Sequence, residues 1–279
     1  MKITVLVDNN TLIDRYLLGE PAFSLYIEAD GRKILFDTGY SEAFLINARK
    51  LDIDLRHLDM VVISHGHMDH TWGLEPLIRL LSEAEIEGQK PSRPTLIAHP
   101  GALAPKTLNG SIAIGSLLTE AAFDFHFTLR TGRDPVRLTD NLFFLGEIDR
   151  THAFEKSKPL GRIGAGDSAP PDFLSDDTAL AYTGEDGLVI LTGCSHAGIC
   201  NIISQAQKVC GDNRIRDIIG GLHLLNPGEE RLRGTCEFLH NLHPTEVHAC
   251  HCTDLRSKVA LAGRVNLKEV GSGWSAQYD

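Results

Sequence analysis

The stretch Ser64-His65-Gly66-His67-Met68-Asp69-His70-Thr71 constrains this chain more than any other. Four side chains that bind metals fall within six residues, directly after the apolar run Met60-Val61-Val62-Ile63. That run reads as a buried strand and Trp72 to Leu81 as the start of a helix, so the histidines stand on a strand-to-helix turn at a sheet edge. Along extended backbone, residues two apart point the same way. His65 and His67 therefore face one ion, whereas Asp69 and His70 turn toward a second. Two ions about 3.5–4 Å apart, sharing a water, suit such a turn. A merely histidine-rich surface turn is the alternative, and the density of H-x-H-x-D-H directly after a strand argues against it.

The rest of the chain supplies the frame. With 279 residues, 42% of them hydrophobic and 23% charged, it can bury one large core. A single domain spanning 1–279 is expected. The net charge of -10, spread without a basic run, argues against a nucleic-acid or membrane partner and leaves a small-molecule substrate. No stretch reaches the roughly 18 apolar residues of a membrane helix. Met1 to Asp8 turns polar too soon for a secretion signal, so the expected location is cytoplasmic. The 6 cysteines, all between Cys194 and Cys252, are then thiols or ligands rather than disulfides.

Lys2 to Val7 reads as a strand with one buried face, and Phe23–Ala29 with Lys33–Phe36 as a hairpin turning at Asp30-Gly31. The hairpin runs into Asp37-Thr38-Gly39, where Asp37 is either a turn carboxylate or a group orienting a ligand histidine. Ser82 to Pro94 reads as a surface loop, and Ala102 to Thr139 shows no clear pattern. Glu155 to Asp177, with its glycines and prolines, reads as a lid or specificity loop.

A second half mirrors the first. Ala179–Thr183 and Leu188–Leu191 form a hairpin that enters Gly193-Cys194-Ser195-His196-Ala197-Gly198-Ile199, followed by a helix. Further strands end at His223 and His251. His196 would complete the first ion's ligands, and His251 would join Asp69 and His70 on the second. Cys194 is either a small buried hydrophobe or a further ligand. A structural zinc site of Cys236, Cys250 and Cys252 is the competing reading of His251, although strand alternation points both neighbouring cysteines away from it. Nitrogen and carboxylate ligands suit Zn²⁺, one ion or two, with Mn²⁺ or Fe²⁺ also compatible. Asp69 is the expected catalytic group, binding an ion and holding the attacking water. Strands alternating with helices, with hairpins in both halves, give an α/β sandwich.

The Asp37-Thr38-Gly39 turn, the His65 to His70 motif, His196 and His251 together resemble the metallo-β-lactamase superfamily. The resemblance implies a four-layer αβ/βα sandwich of two mixed β-sheets flanked by helices, with metals at one sheet edge. Where that family carries a bridging aspartate, this chain has Gly193-Cys194. Gly146-Glu147-Ile148, Asp176-Asp177, Gly220-Gly221-Leu222-His223-Leu224 and His251-Cys252-Thr253 resemble the dihydropterin ribofuranosyl-aminobenzene phosphate synthase branch. That implies a phosphorylated or pterin-like substrate, with Glu147, Arg150 and His223 as pocket groups. Three functions follow as expectations. The first is a hydrolase using metal-bound hydroxide on a small phosphorylated or ester-type metabolite. The second is a pterin-type transferase condensing with loss of diphosphate. The third is a redox di-iron or non-catalytic metal-binding protein.

Overall fold

The computed structural model describes residues 1–156 and 158–279. Ser157, within the expected lid, lies outside the described residues. Two sheets face each other. The first runs Ser275–Gln277, Lys2–Val7, Ser24–Ala29, Arg32–Phe36, Met60–Val62, Thr95–Ala98, Thr128–Thr131. Its pairing is antiparallel up to Arg32–Phe36 and parallel beyond it. The second runs Glu246–Cys250, Ile215–Gly221, Gly187–Thr192, Ala179–Gly184, Leu142–Phe144, Val136–Arg137, and its first three strands are parallel. Both sheets are mixed, as expected.

Three apolar clusters separate four layers. Ile3, Val5, Phe36 and Val62 pack against Leu180, Val189, Leu191 and Ile219 between the sheets. Phe44, Leu74 and Leu77, from helices Ala43–Lys50 and Leu74–Ile86, cover the outer face of the first sheet at Leu6, Leu35 and Val61. Ile199, Ile203, Leu232 and Leu239, from helices Ile199–Cys210 and Glu229–Leu242, cover the second at Ile190, Ile218 and Val247. The first strand is therefore buried on both faces, with Ile3 to Val7 all inside. The reading of one buried face fails because a sheet covered on both sides needs apolar residues at successive positions.

Other local readings shift for physical reasons. The helix after the motif continues to Ile86, five residues into the stretch read as loop, because its polar end faces outward. The unclear region after Ala102 contains strand Lys106–Leu108, helix Glu120–His126 and edge strand Thr128–Thr131. Asp30 and Gly31 take φ of 49° and 75°, the left-handed pair that a two-residue hairpin turn requires. Among the described residues no helix is long and apolar enough to cross a membrane.

Parallel strands with helical crossovers end at a common edge, where α/β folds gather ligand-binding loops. Met60–Val62, Gly187–Thr192, Ile215–Gly221 and Glu246–Cys250 deliver the His65 loop, Cys194/His196, His223 and His251 respectively.

Candidate metal centre

His67 is in β conformation, while Asp69 and His70 belong to the short helix Met68–Thr71 that it precedes. This change of geometry inside one motif divides the donors. His65 Nε2 lies 3.1 Å from His67 Nδ1 and 3.2 Å from His196 Nε2. Asp69 Oδ2 lies 3.4 Å from His70 Nε2 and 3.3 Å from His251 Nε2. Cys194 Sγ stands between, 3.3 Å from His70 Nε2 and 3.2 Å from His251 Nε2. Within Asp69, His70, Cys194 and His251, and again within His65, Cys194 and His196, the donor atoms lie within 4.8 Å of one another. The structure thus brings all seven expected ligands together, with Cys194 Sγ within reach of both groups.

The far nitrogens explain which way the rings face. Asp37, fully buried at φ 57°, accepts from the Ser64 backbone N–H and from Ser64 Oγ, each at 2.7 Å. Its Oδ2 also accepts from His70 Nδ1 at 2.7 Å. Ser64 Oγ, having given its proton to Asp37, accepts from His65 Nδ1 at 3.0 Å. Asn9 Oδ1 accepts from His251 Nδ1 at 3.0 Å, and Asp8 Oδ1 from the His251 backbone N–H at 2.8 Å. This network assigns Nδ1–H to His65, His70 and His251, so Nε2 is the atom each ring turns inward. Asp37 makes the histidine contact that the orienting alternative requires, while Ser64, Asp8 and Asn9 escaped sequence reasoning. Gly193 is required beside them, because a Cβ there would collide with Ser64 Oγ.

The electrostatics match a cation site. Burial pushes His65 and His196 well below their ordinary pKa, reinforced by neighbouring histidines. Burial, then the Lys106 ammonium, brings His67 down to about 4. Against its own burial, the Asp69 and Asp37 carboxylates hold His70 well above its ordinary value. Asp69 stays below the usual carboxylate range despite burial because His70 and His251 face it. Burial pushes the Cys194 thiol up, with Cys252 next to it. His65 Nε2 stands 3.1 and 3.2 Å from the His67 and His196 nitrogens, close to the roughly 3.3 Å between donors tetrahedrally bonded at about 2.0–2.1 Å. The donors fit a divalent cation.

The competing zinc reading falls on placement: Cys236 is buried among the outer helices and Cys250 between the sheets. Cys252 does not point away as alternation suggested. The strand stops at Cys250, His251 takes φ 49°, and Cys252 Sγ comes within 3.3 Å of the Cys194 carbonyl and 3.2 Å of the His223 N–H. His223 stacks obliquely on His196 at 4.2 Å, and its buried Nδ1 has no hydrogen-bond partner among the described residues.

Glu147 and Arg150 lie elsewhere at this edge, on a cavity of about 940 Å³ that Arg133, His152, Lys156, Phe173 and Asp177 also line. Glu147 pairs with Arg133 at 2.9 Å and His99 at 3.4 Å, and Arg150 donates to the Leu174 carbonyl at 2.6 Å. His152 is a wall residue here. Asp177 joins cavity to donors, since its Oδ2 accepts from Ala197 N–H at 2.8 Å, beside His196. Burial raises this carboxyl to about 7. The segment read as a lid is tied down: Glu155 accepts from Cys200 and Asn201 N–H at 2.9 Å each, and Lys106 pairs with Asp172 at 2.9 Å and Asp176 at 2.6 Å.

Two facing mixed sheets with nitrogen, carboxylate and sulfur donors at one edge define a metalloprotein scaffold. The profile of the metallo-beta-lactamase superfamily matches residues 18–203, more than half of the chain. The chain belongs to the metallo-β-lactamase superfamily. It is 31% identical over 258 residues to the 7,8-dihydropterin-6-methyl-4-(beta-D-ribofuranosyl)-aminobenzene-5'-phosphate synthase of Methanocaldococcus jannaschii, covering 85% of this chain and 81% of that one. A crystal structure of a metal-dependent hydrolase of the β-lactamase superfamily superposes with TM-score 0.82 at 28% identity, covering 100% of both chains. A diphosphatase of the PhnP family shares the fold, with TM-score 0.56 at 13% identity over 100% of this chain and 98% of that one.

Proposed function

We propose that this chain is a metal-dependent hydrolase acting on a small phosphorylated or ester-type metabolite. The observation that carries the reading is the inward convergence of donors from both halves, with His65, His67 and His196 on one side, Asp69, His70 and His251 on the other, and Cys194 Sγ between. Divalent ions bound there, Zn²⁺ or else Mn²⁺ or Fe²⁺, would supply Lewis acidity and lower the pKa of a water. Asp69 is the partly open member of the group, with a side chain 26% exposed, and its carboxylate is placed to orient an attacking water by accepting its proton in a hydrogen bond. His223 Nδ1, without a hydrogen-bond partner among the described residues, is available to a substrate oxygen. Arg133, Arg150 and Glu147 on the adjoining cavity wall would receive the rest of the metabolite, the arginines favouring phosphate.

A second reading is favoured by the likeness to the synthase: a condensation in which an amine attacks and diphosphate leaves. Metal-loaded protein should hydrolyse at least one of a phosphodiester, lactone and thioester panel, with His67→Ala inactive. If it turns over none of them but consumes a pterin diphosphate together with an arylamine, the hydrolase reading gives way to the transferase.

A further inference from the structure

Asp176 and Asp177 are consecutive, 3% and 1% exposed, and each grips a different ligand loop. Asp176 Oδ2 accepts from the backbone N–H of Gly66, between His65 and His67, at 2.8 Å. Asp177 Oδ2 accepts at 2.8 Å from the N–H of Ala197, the residue directly after His196. The two grips are separated by one peptide link, about 3.8 Å between Cα atoms. Beside them, Thr178 N–H donates to the Ser64 carbonyl at 2.9 Å.

We propose that Asp176-Asp177 is a buckle that fixes the His65–His67 loop of the first half against the His196 loop of the second, making both aspartates positioning residues for the three-nitrogen side of the centre. The inference rests on the metal-centre reading above. Three features support it. Lys106 is 2% exposed and supplies the cation that a buried Asp176 needs, with Asp172 sharing it. Burying such a triad costs several kcal/mol per ion, so apolar packing would hold the loop with less penalty, whereas directional bonds define position. Finally, His251 on the other side of the centre is held by separate groups, Asp8 and Asn9, whereas Asp37 touches both sides through Ser64 and His70. The His251 position is thus adjustable independently of the His196 loop.

That separation gives the test. Zn²⁺ or Co²⁺ is titrated calorimetrically into the full metal-free chain, and the binding events are assigned with His196→Ala and His251→Ala. Asp176→Ala and Asp177→Ala should each weaken the event lost in His196→Ala by about 10–100-fold, the usual cost of removing a group that orients a ligand. They should leave the event lost in His251→Ala in place, whereas Asn9→Ala should do the reverse. Asp177→Asn, which keeps an oxygen for the Ala197 N–H, should recover most of the affinity. Urea denaturation of each metal-free variant reads any structural role separately. Equal weakening of both events, or none, overturns the buckle while leaving the metal centre intact. If Asp177→Ala does not fold, Asp177→Glu carries the same test, because its longer side chain must displace the Ala197 loop and weaken the same event. A wild-type chain that takes up no ion would instead remove the metal-centre reading, and this inference with it.

Discussion

Asp37→Asn separates an argument about proton placement from one about packing. The wild-type carboxylate accepts three hydrogen bonds, from Ser64 N–H on Oδ1 and from Ser64 Oγ and His70 Nδ1 on Oδ2, all at 2.7 Å. An asparagine has one acceptor, and the Ser64 backbone N–H cannot turn away from it. The amide nitrogen then faces two donors, Ser64 Oγ–H and His70 Nδ1–H. The conflict resolves if His70 moves its proton to Nε2, toward Cys194 Sγ at 3.3 Å and Asp69 Oδ2 at 3.4 Å, both acceptors. The nitrogen offered to an ion is thereby lost. Ion affinity should fall by about 10–100-fold, equivalent to about 1.4–2.8 kcal/mol. Asp37→Ala leaves His70 free to choose its tautomer but opens a hole and orphans the Ser64 donors. Alanine should therefore be the less stable variant in urea, yet bind ions no worse than asparagine in competition with a chromophoric chelator. Asparagine binding like wild type, or far better than alanine, would refute the tautomer reasoning.

Three further outcomes follow from the same contacts. In the metal-free chain, His67 holds a pKa of about 4 against an ordinary 6.5, so the unfolded chain takes up a proton that the fold refuses. Stability present above about pH 6.5 should be lost as pH falls toward 4, by about 3 kcal/mol from this residue, and His67→Phe should flatten a urea series across that range. His70, shifted the other way, contributes stability that is lost as pH rises through its raised value, so the profile should turn over rather than climb. Glu155→Gln keeps only one of two acceptors at the start of helix Ile199–Cys210 and should cost about 1–3 kcal/mol, read by chemical denaturation. Gly193→Ala drives a Cβ into Ser64 Oγ and to 2.7 Å from Asp37 Oδ2, so ion titration should show a loss resembling that of Asp37→Asn.

What could be read from sequence follows from how local each signal is. The His65–His70 motif carries its own strand and turn, so its donors and their division were legible. His196 and His251 were legible as histidines at strand ends, because parallel strands share an edge. The supporting groups were not. Asn9 reaches His251 across 242 residues and Asp176 reaches Gly66 across 110, distances over which one sequence contains no pairing signal. Asp176-Asp177 stood out in sequence only as part of a resemblance, and its role appears once two backbone N–H groups are seen against it. Cys252 was misplaced because strand alternation was extended two residues past the strand's end, through a histidine in left-handed conformation.

The order of these residues has an energetic consequence. Asp37, Ser64 and Asn9 turn Nε2 of His70, His65 and His251 toward one another, and burial holds His65 and His196 well below their ordinary pKa, so the fold assembles a crowded, buried core of ring nitrogens. A stable chain tolerates such a cluster only where its surroundings over-determine it. Here the surroundings are ties between halves: Asp176 to Gly66, Thr178 to Ser64, Asp8 and Asn9 to His251. A cation entering the cluster engages those nitrogens without moving the ties, so its binding energy appears directly as folding stability. The rigidity of the ties is then what keeps the donors poised when no ion is bound. The unshielded approach at Asp69 is what leaves room for a reacting molecule once one is.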